Sequence, residues 1–187
     1  VTGPNRDLHS GHFGGAVANP INTLCSMLAQ VIDANGRITI PHFYDDVEEV
    51  PAAERDMIAH IPFDEKKYME AIGVKALKGE KGYSTLERNS CRPSFDVCGI
   101  WGGYTGEGSK TVLPSKVYAK VSCRLVPHQN HEVISKLFVD YINSIAPEYV
   151  QVKVTPMHGG EGYVCPISLP AYQAAEKGFT KAFGKKP

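Results

Sequence analysis

Apolar residues recur at steps of three and four through Val17, Ile21, Leu24, Leu28, Val31 and Ile32, which predicts an amphipathic helix ended by Asn35 and Gly36. Pro20 stands near its start, where proline is tolerated. RITI, residues 37–40, follows as a short strand candidate. A second helical spacing, in Val133, Ile134, Leu137, Phe138, Tyr141, Ile142 and Ile145, predicts a helix with a broad apolar stripe. Between these helices the period falls to two. In SKVYAKVSCRLV, Val117, Ala119, Val121, Cys123 and Leu125 alternate with Lys116, Tyr118, Lys120, Ser122 and Arg124, which predicts a strand with one core face and one polar face. FDVCGIWGGY and YVQVKVT also read as strands, and VTGPN at the start suits a first one.

The order strand, helix, strand, strand, helix, strand is that of a ferredoxin-like two-layer sandwich, an α+β fold. It predicts a four-stranded antiparallel sheet with both helices on one face. The stretch from about 41 to 94 breaks the pattern and reads as an insertion. In it DDVEEVPAAERDMIAHIP and FDEKKYMEAIG suggest short helices punctuated by Pro51, Pro62, Gly73 and Pro93. Glu48 and Glu49, beside Pro51, read as a solvated helix start rather than paired catalytic carboxylates. After a glycine-rich link, LPAYQAAEKGFTKAF predicts a final helix with Tyr172, Ala175, Phe179 and Phe183 on one side, a side with no expected partner in the chain.

With 187 residues the chain is one large domain or one domain with an insertion, able to bury roughly two-thirds of its unfolded surface. Lys plus Arg and Asp plus Glu number 20 each, so no net charge draws the chain to nucleic acid or an anionic membrane. Small molecules and protein surfaces are the expected partners. No run of about 18 apolar residues spans a bilayer, and the start lacks the basic and apolar regions of a signal peptide. It also lacks an initiator Met, and VTG suits the end of a β-strand, so the chain reads as an excerpt of something longer. The five cysteines, Cys25, Cys91, Cys98, Cys123 and Cys165, form no Cys-x-x-Cys pair. They read as reduced, mostly core thiols of a cytoplasmic protein.

Three motifs invite chemistry. GYTGEGSKT, residues 103–111, nearly spells a phosphate-binding loop, but Ser109 intrudes between Gly108 and Lys110. Such a loop must also feed a helix, whereas TVLPSKVYAKV carries Pro114 and strand alternation. RDLHSGHFGG, residues 6–15, sets His9 and His12 three apart beside Asp7, and it could be a metal site, a catalytic loop or a turn. A zinc site needs three or four converging ligands. Gly11, Gly14 and Gly15 make this stretch a loop, no partner motif stands out, and His42, His60, His128, His131 and His158 are scattered singly. Three polar residues remain: His9 in the glycine-supported loop, Thr111 at a loop-to-strand junction and Arg124 on the polar face of a strand. Histidine can stabilise a developing oxyanion, and arginine can hold a carboxylate in a two-pronged pair.

GPNRDLHSGHFGG followed by NPINTL, then GEGSKTVLPSKVYAKVSCRLVPHQ, resembles the lid, or dimerisation, domain of the di-zinc exopeptidases that include carnosine dipeptidase, aminoacylase and succinyl-diaminopimelate desuccinylase. The carnosine-dipeptidase branch matches best. The resemblance implies a lid over residues 1–160, with the insertion at about 41–94, followed by a linker and helix over 161–187 that belong to a catalytic domain outside the chain. It implies that His9 reaches across a homodimer to stabilise the oxyanion in the partner's active site. Thr111 would contact substrate, and Arg124 would bind the C-terminal carboxylate of a small peptide. Other branches carry asparagine where Thr111 stands. Zinc, or another divalent metal, belongs to the intact enzyme. Its ligands and the general-base glutamate lie in motifs this chain lacks, so the chain alone is expected to bind no metal and to be inactive. The alternatives are a free-standing ferredoxin-like binding or regulatory module, or an independent cysteine or metal enzyme.

Overall fold

The computed structural model describes residues 1–166 and 168–185. The chain opens with β1 (Leu8–His9) and the single turn α1 (Ser10–Phe13), then α2 (Pro20–Ala29). Three short helices follow, α3 (Ala52–Ala59), α4 (Glu65–Ile72) and α5 (Thr85–Ser90). The second half holds β2 (Ser94–Gly102), β3 (Val112–Leu113), β4 (Val117–Arg124), α6 (His131–Ser144) and α7 (Pro170–Phe183). No helix among the described residues is long and apolar enough to cross a membrane.

The β2–β4 pair is the main ladder. It is antiparallel, running from Ser94 opposite Arg124 to Gly102 opposite Val117, with a bulge between Val97 and Gly99 that leaves Cys98 unpaired. Phe95 faces Cys123 and Val97 faces Val121, so these four share one face. The core lies on that face. Met27 and Val31 from the α2 side, Ile134 and Ile142 from α6, and Ile38, Ile40, Phe43 and Phe95 form one buried cluster, with Val121 and Cys123 packed against it. The opposite face of β4 carries Tyr118, Lys120, Ser122 and Arg124, all exposed, as the alternation predicts.

The described strands form two two-stranded antiparallel sheets, β1–β3 and β2–β4, rather than one regular four-stranded ladder. VTGPN and YVQVKVT enter as single bridges: Thr2 pairs with Lys116 on one side and Gln151 on the other. The backbone order across these bridges is therefore Gln151, Thr2, β4, β2. Pro4 has no N–H to continue a ladder past Gly3, whose own N–H donates to the Ser115 carbonyl at 2.9 Å. RITI is likewise reduced to a bridge between Ile38 and Ile32.

The first predicted helix is shorter than its apolar pattern. It ends at Ala29, because the chain turns back at residues 33–37. Asp33 accepts from the Asn35 and Arg37 amides at 2.8 and 2.9 Å, and Gly36 adopts a φ of +78° that sets its α-carbon against the Gly79 backbone. Val31 and Ile32 keep their apolar contacts outside the helix, and Val31 is fully buried. The insertion also holds one helix that apolar spacing does not show, α5. Its start is a capping box, with Ser84 accepting from the Glu87 amide and Glu87 accepting from the Ser84 amide.

Charge fixes the insertion to the core. Arg92, with its side chain 2% exposed, donates from Nε and Nη2 to both oxygens of Glu80 at 2.8 and 2.9 Å. Arg37 donates to the same carboxylate at 3.2 Å, and Arg88 to the Glu80 carbonyl at 2.9 Å. The Arg92 guanidinium also sits 4.3 Å from the centre of the Tyr83 ring, and that of Arg37 sits 3.8 Å from the centre of Tyr44. Glu49, which faces solvent, accepts from the Tyr83 hydroxyl at 2.8 Å. Nearby, Arg55 donates to Glu87 and lowers its carboxyl to about 2, helped by the Ser84 amide and hydroxyl.

The cysteine expectation is corrected in part. All five thiols are free, but Cys25, Cys98 and Cys165 are exposed and only Cys123 packs against the core cluster. Cys25 falls on the outer side of α2, and Cys98 is carried outward by the bulge toward the Ser122 hydroxyl at 3.2 Å. Burial pushes the Cys123 thiol up to about 11.

Two outcomes follow from these environments. At pH 8 a thiol reagent labels Cys25, Cys98 and Cys165 quickly and Cys123 only on unfolding; fast labelling of Cys123 in the native chain refutes its placement. The Glu87 pair is fully stabilising above 4.5, its ordinary value, and is lost as pH falls toward about 2. Glu87→Gln therefore lowers the neutral-pH melting temperature and flattens its decline across that acid window. An unchanged decline would assign the acid sensitivity to other carboxylates.

Candidate functional site

The residues RDLHSG and KTVLPS run antiparallel, side by side. Leu8 faces Leu113 and His9 faces Val112 in β1–β3, and the Ser10 amide donates to the Thr111 carbonyl at 3.1 Å. One step further along, Asp7 accepts from the Ser115 amide at 2.7 Å. That backbone bond, together with the Ser115 side chain and nearby Lys110, holds the Asp7 carboxyl below the usual carboxylate range. Two short segments about a hundred residues apart are thus fastened at three successive points.

The pairing carries His9 to Thr111. His9 is the residue before α1 and caps it, its Nδ1 accepting from the Gly11 amide at 3.0 Å. Its Nε2 lies 3.0 Å from the Thr111 hydroxyl. Gly11 lacks the β-carbon that would come within 2.9 Å of the imidazole, and Gly14 the one that would come within 2.4 Å of the Ser10 carbonyl. These glycines let the loop fold tightly around the histidine. Both His9 and Thr111 face solvent.

Of the three candidates, His9 and Thr111 come together and Arg124 does not join them. Arg124 ends β4, seven residues beyond Val117, which is about 23 Å along a strand. It is exposed and faces Ser94 across the ladder, and its guanidinium has no ion pair or hydrogen bond among the described residues. Asp96, diagonal to it, accepts from the Ser94 hydroxyl at 3.0 Å instead. The guanidinium is therefore free to take a carboxylate from outside the chain.

The other motifs resolve simply. The glycine-rich run 103–111 leads into β3 and β4, not into a helix, and Lys110 lies 5.8 Å from the Tyr104 ring centre. A phosphate would find no helix N-terminus there. His12 stands with its ring centre 4.9 Å from that of His9, tilted by 53°, so it is a neighbour of the site and not a remote loop residue. Among the described residues, no three His, Cys, Asp or Glu side chains converge on a point that could hold a metal ion. Spacing alone marks Gly11 as a loop glycine but shows neither its amide contact to His9 nor the Asp7–Ser115 bond. The only hint was the polar residue ahead of LHSG. Trp101 and Tyr118, stacked at 5.3 Å where β2 and β4 meet near this end, were also read only as strand residues.

Residues 1–150 match the family described as peptidase dimerisation domain. The Cys-Gly metallodipeptidase dug1 of Schizosaccharomyces pombe is 30% identical over 191 residues, covering 100% of this chain and 40% of its own length. The Beta-Ala-His dipeptidase of Homo sapiens is 28% identical over 186 residues, covering 98% of this chain and 37% of its own. Among solved structures, the M20 family metallo-carboxypeptidase Sso-CP2 from Sulfolobus solfataricus superposes with a TM-score of 0.87 at 28% identity, covering 99% of this chain and 47% of that one. The di-peptidase Dug1p from Saccharomyces cerevisiae superposes with a TM-score of 0.81 at 29% identity, covering 100% and 40%. The chain spans less than half the length of each of these proteins, between 37% and 47%.

The Asp7 contact can be checked directly. In Asp7→Ala the Ser115 amide exchanges with solvent faster, while the amides of β2 and β4 keep their rates. Equal exchange of Ser115 in both proteins would show that Asp7 holds nothing in place.

Proposed function

The chain belongs to the peptidase dimerisation domain family, and from that premise we propose that it is the lid and dimerisation domain of a metal-dependent dipeptidase or related amidohydrolase. The enzyme would be a cytoplasmic homodimer acting on small peptides or acylated amino acids. Residues 1–160 form the lid, with the insertion at about 41–94, and residues 161–187 are the linker and helix that return to the catalytic domain. The bridges flanking Thr2 support reading the lid as a ferredoxin-like sheet in the order Gln151, Thr2, β4, β2.

The observation that carries the reading is the contact between His9 and Thr111, two solvent-facing polar side chains held 3.0 Å apart by backbone pairing in a chain of this family. A turn histidine with no function needs no such fastening. In the proposed enzyme His9 stabilises the negative oxygen that develops as the amide carbonyl is attacked, in the active site of the partner subunit. Thr111 contacts the same substrate. Arg124, unpaired at the far end of β4, takes the peptide's C-terminal carboxylate from its own side. That separation along one strand suits residues that serve different parts of a substrate or different subunits.

Among the described residues no three metal-ligating side chains converge. Zinc, or another divalent metal, would be held by segments of the enzyme outside this chain and would supply the activated water. Two surfaces fit the proposed partners. The outer edge of β2 has no ladder partner among the described residues and exposes Val97, Ile100 and Trp101, which suits pairing with a second copy. On α7, Tyr172, Phe179 and Phe183 are exposed, which suits packing on the catalytic domain.

The test uses the chain joined to its flanking catalytic segments. That protein hydrolyses small peptides only with metal present, and His9→Ala lowers its turnover by about 100- to 1,000-fold with zinc content unchanged. Full turnover in His9→Ala would remove the histidine from the mechanism.

A further inference from the structure

A residue that caps a helix is usually Ser, Thr, Asn or Asp, whose side-chain oxygen accepts an amide hydrogen. Here the cap is an imidazole, and this has a consequence an oxygen cap would not have. A neutral imidazole has one nitrogen that bears hydrogen and one that offers a lone pair. The Gly11 amide can only donate, and it donates to Nδ1 at 3.0 Å. Nδ1 must therefore be the lone-pair nitrogen, and the single ring hydrogen stands on Nε2. That atom faces the Thr111 hydroxyl at 3.0 Å, so the Thr111 oxygen accepts and its own hydrogen is left free to turn outward.

We infer that Gly11 is a positioning residue whose amide fixes His9 as the Nε2–H tautomer, so that an incoming substrate oxygen can take over the ring hydrogen from the Thr111 oxygen while the Thr111 hydroxyl keeps a second hydrogen to offer. The inference rests on the proposed role of His9 toward a developing negative oxygen and says what that role requires. With the hydrogen on Nδ1 instead, Nε2 would turn a lone pair toward the oxygen and repel it. In the resting chain the Thr111 oxygen occupies the place a substrate oxygen would take at Nε2. The class of group recognised is thus a hydrogen-bond acceptor, a carbonyl or its oxyanion, and not an amine.

Any residue but proline supplies that amide, and what calls for glycine at position 11 is its missing β-carbon. A β-carbon there would lie 2.9 Å from Cε1 of His9, closer than such atoms approach, and a tight 3.1 Å from Nδ1, so a side chain makes the ring shift against the amide. The backbone of His9, with φ −77° and ψ 120°, is the extended form that lets a capping side chain turn back on the next amides. Ring placement, the amide donor and the missing β-carbon all select one orientation.

The experiment is long-range proton–nitrogen correlation spectroscopy on the nitrogen-15-labelled chain, at a pH well above the ordinary histidine value of about 6.5. In the parent chain the His9 signals are expected to be unmixed, with a bare nitrogen at Nδ1 and a hydrogen-bearing nitrogen at Nε2. Thr111→Val keeps that pattern, because Gly11 sets it, and Gly11→Ala moves both nitrogens toward the averaged values of mixed tautomers. A hydrogen on Nδ1, or averaged signals in the parent, overturns the inference. Averaging in Thr111→Val also overturns it, because the threonine would then be setting the tautomer. Should Gly11→Ala fail to fold, the parent and Thr111→Val spectra decide the matter. The measurement needs no metal and no peptide. Full turnover in His9→Ala would therefore defeat the proposed function with the tautomer intact, and the wrong tautomer would defeat this inference with the hydrolysis result intact.

Discussion

The candidate site depends on the backbone pairing that lays residues 7–10 against residues 111–115. The ladder itself is two residues long on each strand, and the Asp7 and Ser10 contacts extend it on either side. Closing a loop of about a hundred residues costs entropy that grows only slowly with its length. A few well-placed bonds can therefore hold it once the core has formed. The core supplies the rest: β4 begins two residues after Ser115, and its Val117 is almost fully buried. His9 and Thr111 meet because β3 and β4 are anchored by the buried Leu113 and Val117, not because of any attraction between the two side chains.

The insertion is held by a different kind of force. Glu80 collects hydrogen bonds from Arg92, a pair almost closed to water, and from the half-exposed Arg37, and Tyr44 and Tyr83 lie against the guanidinium groups. Buried ion pairs gain little net stability over apolar packing, but removing one partner costs roughly 3–5 kcal/mol because the other charge is left behind. Such a cluster specifies where residues 80–92 sit against Arg37 and Tyr44 more than it strengthens the fold, and α3 and α4 join α5 through Arg55–Glu87 and Thr85–Glu65. Most of the apolar surface of α3 and α4 faces outward, with Met57 and Ile72 more than half exposed, so apolar burial alone would not place them.

The long elements were legible because their periods are long enough to read. β4 and α6 lie within a residue or two of where alternation and three-four spacing put them, and β2 follows FDVCGIWG closely. The period of the first helix misled at Val31 and Ile32, where the Asp33 turn overrides a continuing apolar stripe. The short α5 was written in its Ser84–Glu87 cap and not in any apolar pattern. Strands of two residues have no period at all, so β1 and β3 were invisible to spacing. His9, Thr111 and Arg124 stood out as suggestive polar residues, but their roles came from resemblance. Their geometry, two together and one far along β4, needed coordinates.

The brevity of β1 has one more effect. Side chains alternate across a strand, so sliding β1 by a single residue against β3 would exchange the outlooks of Leu8 and His9. The half-buried leucine would meet the solvent and the histidine would turn toward the core. No intermediate placement exists, because the backbone bonds are satisfied only at whole-residue steps. Asp7 on the Ser115 amide acts as the stop that selects one of these steps. The position of the imidazole is therefore a discrete setting rather than an adjustable one, and lengthening or shortening the stretch between Asp7 and Ser10 would move the ring to the other face outright instead of shifting it slightly.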